Sequence, residues 1–220
     1  MSRRVGLALA ALVTAMPLGA QGKDATKSVA STAVAPGWVM KLDPGSESLI
    51  AKLERTPSGF EVTSGGAAIY YSPSDVQKNE KFTTMADFQQ LKKNVGHGDQ
   101  GEAFGLFAGG QLLDDPAKQT YFYFLVRQDG SFLINHRAGK EVHKIVDWTP
   151  SPAINKFDAK PNPTNNLQIQ AGMDSIRFVV NNKQVYALPR KNIDMSGQTG
   201  VRVNHNLDVR FWNFMAMTGM

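Results

Sequence analysis

The chain has 220 residues, 42% hydrophobic and 20% charged, with a formal net charge of +5 and an isoelectric point of about 9.4. That composition suits one globular domain with a sizeable core. The positive charge is diffuse, with no Lys/Arg run of the kind that tracks phosphates, so it reads as solubility and not as a nucleic-acid face. The absence of cysteine excludes a disulfide framework, thiol catalysis and Cys-ligated zinc or iron–sulfur centres.

Residues 1–20 read as a secretory signal peptide. Ser2-Arg3-Arg4 is a basic start, residues 5–14 are a small-apolar run, and Pro17-Leu18-Gly19-Ala20 supplies small residues for cleavage after Ala20. The apolar run is too short to anchor in a bilayer. Arg3-Arg4 also suits a twin-arginine signal, although Gly6 stands where a bulky apolar residue is wanted. With no cysteine after the cut for lipid attachment, the expectation is a periplasmic or secreted protein without a membrane anchor. Residues 21–36 are small, polar and aperiodic and read as a disordered leader, which leaves 37–220 as the folded domain.

Within that domain, residues 37–42 predict a first strand ended by Asp43-Pro44-Gly45, and 46–55 predict a short helix or a loop packing Leu49 and Leu53. Two short strands, 60–63 and 67–71, flank Ser64-Gly65-Gly66, and 73–80 is a loop. Residues 82–91 fit strand and helix spacing about equally; strand neighbours and missing caps favour a strand. A Gly-rich polar loop (92–101) precedes a strand at 103–108, broken by Gly109-Gly110, and a second loop, 112–119.

Residues 121–148 form a meander of three runs rich in aromatic and β-branched residues: 121–127, 131–137 and 141–148. Asp129-Gly130 and Ala138-Gly139 separate them, and an Asp-Gly pair supplies the φ > 0 that a tight hairpin needs. Residues 149–166, with four prolines, form an extended connection. Strands follow at 167–171 and 175–180, then at 183–188 after the Asn181-Asn182 turn, and at 200–204 and 207–217. About a dozen short strands without long helices predict an all-β, antiparallel two-sheet β-sandwich or jelly roll.

Several of these segments come in a familiar order: Ala103-Phe104-Gly105-Leu106-Phe107, Tyr121 to Arg127, Asp147-Trp148-Thr149-Pro150-Ser151, Asn166-Leu167, Val201-Arg202-Val203 and Asp208-Val209-Arg210-Phe211-Trp212-Asn213-Phe214. Over roughly residues 60–217 the chain resembles the concanavalin A-like lectin/glucanase jelly roll, and within it is most similar to the secreted 3-keto-disaccharide hydrolase-type domain. Trp212 departs from the pattern, since the similar domains more often carry an acidic residue there. The resemblance implies a two-sheet sandwich with one face that receives sugars, hence a carbohydrate partner, an oligosaccharide or glycoside; fold alone does not carry function.

The glucanase motif E-x-D-x-x-E, whose period-two spacing puts acid/base and nucleophile on one strand face, does not occur. Asp114-Asp115 reads as a turn, with a loop cation or sugar site as the alternative. The four histidines, His97, His136, His143 and His205, lack metal-site spacing, so neither metal nor cofactor is expected. Tyr121, Tyr123, Arg127, His136 and Arg137 form an aromatic and basic patch suited to sugars, since rings cover the CH face of a pyranose and Arg donates to hydroxyls or carboxylates. Trp148 reads either as a sugar-stacking ring at the rim or as a plug under the long loop. A two-residue Asp129-Gly130 turn places Tyr123 opposite His136 and Phe122 opposite Arg137; each face then mixes apolar and polar residues, and the core face stays unassigned. Three readings follow: a lectin-like carbohydrate-binding protein of the envelope using Tyr121, Tyr123, Arg127, Arg137 and Trp148; a glycoside-cleaving enzyme of the 3-keto-disaccharide hydrolase type using Asp147 and His136; or a structural envelope protein without a ligand.

Overall fold

A computed structural model of the chain describes residues 32–46, 49–78, 80–92, 102–157 and 162–219. The expected signal peptide, most of the leader and His97 lie outside the described residues. The first eight strands are β1 (Thr32–Val34), β2 (Val39–Leu42), β3 (Ala51–Thr56), β4 (Gly59–Ser64), β5 (Ala68–Tyr71), β6 (Val76–Gln77), β7 (Phe82–Gln90) and β8 (Phe104–Gln111). The rest are β9 (Thr120–Val126), β10 (Ser131–Ala138), β11 (Glu141–Pro150), β12 (Thr164–Ala171), β13 (Ser175–Val180), β14 (Lys183–Pro189), β15 (Gly197–Val203) and β16 (Leu207–Thr218).

They form two sheets. The first, sheet A, runs β1-β3-β4-β16-β7-β12-β13-β14; the second, sheet B, runs β11-β10-β9-β8-β15-β5-β2, with β6 pairing β15 from the side. This is the all-β sandwich that the turn spacing predicts. The inner faces meet through period-two side chains: Phe104, Leu106, Phe122, Phe124, Ile134, Val201 and Val203 from sheet B against Phe88, Leu167, Ile169, Phe178, Val209 and Phe211 from sheet A, all buried. Phe124 meets Phe178 edge-on at 5.4 Å between ring centroids, and Phe104 meets Phe88 at 5.5 Å, two aromatic bridges across the sandwich.

Three local readings change. Residues 51–56 are a strand and not a helix or loop, because β4 offers a full antiparallel ladder from Ala51↔Ser64 to Thr56↔Gly59, and Ala51 and Leu53 then point into the core. Within the expected leader, Thr32–Val34 forms β1, parallel to β3, so the sandwich begins before residue 37. Gly109-Gly110 do not end β8; the strand passes through them as a bulge between Ala108 and Gln111, with Gly109 at φ 69°.

The fourth change decides the faces. The β9–β10 loop is not a two-residue turn. The Arg127 N–H donates to the Ser131 carbonyl and the Gly130 N–H to the Arg127 carbonyl, which closes a three-residue loop with Gly130 at φ 87°. The Asp129 carboxylate accepts from the Ser131 N–H at 2.9 Å and fixes that loop. The extra residue slips the register by one, so Tyr123 faces Asn135, Tyr121 faces Arg137, and Phe122 faces His136. The mixed faces resolve: Phe122, Phe124, Val126, Phe132 and Ile134 enter the core, while Tyr121, Tyr123, Leu125, Leu133, Asn135 and Arg137 share the outer face of sheet B.

Candidate functional site

The outer face of sheet B is not an ordinary solvent face. Ile69, Tyr71, Phe107, Tyr121, Tyr123, Leu125 and Leu133 form a second buried cluster there, with Val39 and Trp148 packed against it. Strand β9 is therefore buried on both faces, which explains why it reads as a continuous apolar run instead of alternating.

A polar network sits in this cluster. Strand parity builds it: Val201 and Val203 face the core, so Arg202 between them faces outward, and Asp43 follows Val39 and Lys41 past the end of β2. The Arg202 guanidinium donates to both Asp43 carboxylate oxygens at 3.0 and 2.6 Å and to the Tyr121 hydroxyl at 3.0 Å. Arg137 donates to Asp43 Oδ2 at 2.9 Å. The Arg202 guanidinium carbon lies 4.7 Å from the centroid of the Tyr123 ring, and the Tyr123 hydroxyl accepts from Asn135 Nδ2 at 2.9 Å. Burial by itself pushes the Asp43 carboxyl up, but Arg202 and Arg137 together hold it below the usual carboxylate range. Burial likewise disfavours the Arg202 charge, yet Tyr121 and Asp43 leave it more firmly protonated than a free arginine. The Tyr121 hydroxyl is pushed up by burial and stays neutral.

Not every polar atom here is satisfied. Arg137 Nε, Arg202 Nε and Asn135 Oδ1 are buried and have no hydrogen-bond partner, on residues that are 8%, 4% and 7% exposed. Such atoms are rare in native proteins, where an ordered water or a bound group completes them.

At the rim, the Arg127 guanidinium carbon lies 4.5 Å from the centroid of the Trp148 ring while Arg127 Nε donates to Asp129 at 2.7 Å. Trp148 is half-buried: one part packs on the outer cluster and one part reaches solvent.

The structure thus gathers Tyr121, Tyr123 and Arg137 on one face, with Arg127 and Trp148 at its margin. It does not bring Asp147 and His136 together. His136 points to the inner side of β10, stacked on Phe122 at 4.5 Å and hydrogen-bonded to Thr120 at 2.9 Å. Its cross-strand partner is His143, four residues from Asp147 along β11. Burial, and then His143, hold the His136 imidazole below its usual pKa. Asp147 is exposed, bonded to Lys144 Nζ at 2.8 Å and to the Trp148 N–H at 2.9 Å, which hold its carboxyl below the usual range. A glycosidic acid needs the opposite shift.

Sequence reading missed Asp43, Asn135 and Arg202. Asp43 sits in an Asp-Pro-Gly turn, and Arg202 stands between two valines, where an outward charge signals a solvated face. Asp114 and Asp115 are in a turn as expected; Asp114 pairs with Lys41 at 2.6 Å and Asp115 accepts from the Ala117 N–H at 2.9 Å.

A cavity of about 650 Å³ lies on the other sheet, lined by residues including Thr83, Met85, Gln168, Gln170, Met173 and Arg177. Its glutamine amides are chained to one another. Gln170 donates to Gln168, Gln168 to Asn166 and Asn166 to Asp87, at 2.8, 2.9 and 2.9 Å. The sheet B face, with orphaned groups, is the stronger candidate.

No family model and no curated protein sequence matches the chain. Solved structures do. The chain is similar to the carbohydrate-binding module CBM66 from Bacillus subtilis, at 15% identity and a TM-score of 0.61, over 83% of this chain and 96% of that one. It is also similar to a B. subtilis protein of unknown function with a galectin-like fold (9% identity, TM-score 0.57, 82% and 89% covered). The exoplasmic/lumenal domain of VIP36, bound to Ca2+ and Man3GlcNAc, gives 9% identity and a TM-score of 0.55 over 84% and 85%. At these identities the likeness shows the fold: a concanavalin A-like, galectin-like β-sandwich.

Proposed function

We propose that this is an exported, lectin-like carbohydrate-binding protein of the cell envelope, with the outer face of sheet B as its glycan surface. The observation that carries the reading is the pairing of aromatic rings with orphaned polar atoms. Trp148 offers ring surface at the margin of the buried Tyr121 and Tyr123 cluster, and Arg137, Arg202 and Asn135 hold hydrogen-bonding atoms without partners. Sugars present both complements, CH faces and hydroxyls. That chains of this fold include a carbohydrate-binding module and a lumenal domain bound to Ca2+ and Man3GlcNAc supports the reading.

Cleavage of a glycoside in the manner of the 3-keto-disaccharide hydrolases is the less supported alternative, because Asp147 and His136 lie apart and the Asp147 shift opposes proton donation. Export rests on the basic start and apolar run of residues 1–20. Intact mass of protein recovered from the periplasmic fraction should match a chain beginning at Gln21; a mass retaining residues 1–20 would refute export by cleavage.

Titration of a glycan array hit by calorimetry tests the site. Trp148→Ala should weaken binding about tenfold, ~1.4 kcal/mol, with little change in melting temperature. Unchanged affinity with a lowered melting temperature would make Trp148 a packing plug and not a sugar platform.

A further inference from the structure

We propose that the glycan taken by the sheet B face carries a carboxylate, so that the ligand is a uronic acid or an oligosaccharide containing one. This rests on the carbohydrate reading above and adds a charge requirement to it.

Arg127 pairs with Asp129, Lys41 with Asp114 and Lys144 with Asp147, one cation to one carboxylate each. Inside the face the count differs. Arg137 and Arg202 both bond to Asp43, and among the described residues neither has a second carboxylate within ion-pair distance. Two guanidiniums share one carboxylate, and the surplus positive charge is buried, since the arginine side chains are 9% and 5% exposed. An uncompensated buried charge is costly, and a bound anion removes that cost.

The unused atoms say which anion. Arg202 spends both terminal nitrogens on Asp43 and keeps its Nε–H; Arg137 spends one terminal nitrogen and also keeps its Nε–H. An Nε–H beside a terminal N–H is the edge of the guanidinium that matches a carboxylate side-on. The third orphan, Asn135 Oδ1, is an acceptor and needs a donor. Charged donors with one acceptor complement a carboxylate attached to a hydroxyl-bearing ring. A halide or sulfate ion, which has no donor, would leave Asn135 unsatisfied. Trp148, half-buried at the margin of the same face, offers the sugar's CH face an apolar surface.

The experiment compares trigalacturonate with its fully methyl-esterified form, the same sugar without charge, by calorimetry on the wild-type protein at low and high ionic strength, alongside a neutral oligosaccharide panel. The acid should bind at least about tenfold tighter than the ester, and the gap should narrow with added salt. Arg137→Gln should bring the two affinities within about twofold of each other while ester binding persists. Arg177→Gln, which removes the same charge from an exposed position on the other sheet, should leave the gap intact. Equal affinity for acid and ester overturns the carboxylate assignment and leaves the carbohydrate reading in place. No binding of acid, ester or any neutral glycan overturns both. The acid–ester comparison needs no variant, so it decides the matter even where Arg137→Gln fails to fold.

Discussion

Replacing Asp43 by Asn keeps the shape of the side chain and removes the one charge that compensates Arg137 and Arg202. Three charge-assisted hydrogen bonds of 2.6–3.0 Å lose their anionic acceptor, and two nearly buried guanidiniums are left unpaired. Breaking a buried ion pair by removing one partner costs about 3–5 kcal/mol. The Asp43 side chain is 16% exposed, so partial solvation puts the expected cost at the lower end, about 3 kcal/mol. For a domain of this size that corresponds to a fall in melting temperature of roughly 6–12 °C. Thermal and urea unfolding of Asp43→Asn against wild type measures it. The pH dependence gives an independent check. The folded Asp43 carboxyl titrates below its unfolded value. Its stabilisation is therefore fully present above the unfolded pKa of about 3.9 and lost as pH falls through the lower folded value. The gap between variant and wild type should be flat from about pH 7 to pH 5 and close below about pH 4. A melting temperature within about 1 °C of wild type at neutral pH would refute the reasoning, because it would mean that the network is solvated and carries no buried charge.

Two further outcomes follow from the meander. Gly130→Ala places a side chain at φ 87° and drives its Cβ to 2.6 Å from Lys156 Cε; it should cost about 1–3 kcal/mol in urea unfolding. A neutral result would argue against the three-residue loop. His136 is held below its usual pKa by burial and by His143, so folding favours the neutral imidazole, and stability should fall as pH drops below about 6.5. His136→Gln should flatten that part of the melting-temperature profile, and an unchanged slope would assign it to another group.

Much of the architecture is legible one segment at a time. Asn181 and Asn182 adopt φ 48° and 63°, as a tight turn between 175–180 and 183–188 requires, and both flanking strands form there. The ambiguous run at 82–90 is a strand with alternating burial. Ser46 to Arg55 misleads because its local pattern suits a helix as well as a loop, and only the presence of β4 makes an extended ladder the better partner for Ala51 and Leu53. Asp129-Gly130 shows a finer limit. The pair announces a hairpin, but whether Gln128 joins the loop depends on a backbone hydrogen bond, and that single residue decides which side of β10 meets the core.

The site divides along the same line. Tyr121, Tyr123, Arg127, Arg137 and Trp148 lie close together in the chain and announce an aromatic, basic patch, because local composition records which groups a strand can present. Asp43 and Arg202 are 159 residues apart, and Asp43 and Arg137 are 94 apart. No periodicity links such positions. Sequence by itself determined the strands, most of the turns and the chemical character of the central meander, all of which follow from local backbone preference and side-chain period. Only the tertiary structure decided the register, the burial of both faces of β9 and the pairing of two arginines with one aspartate, because each depends on which distant strands lie side by side and how they are aligned.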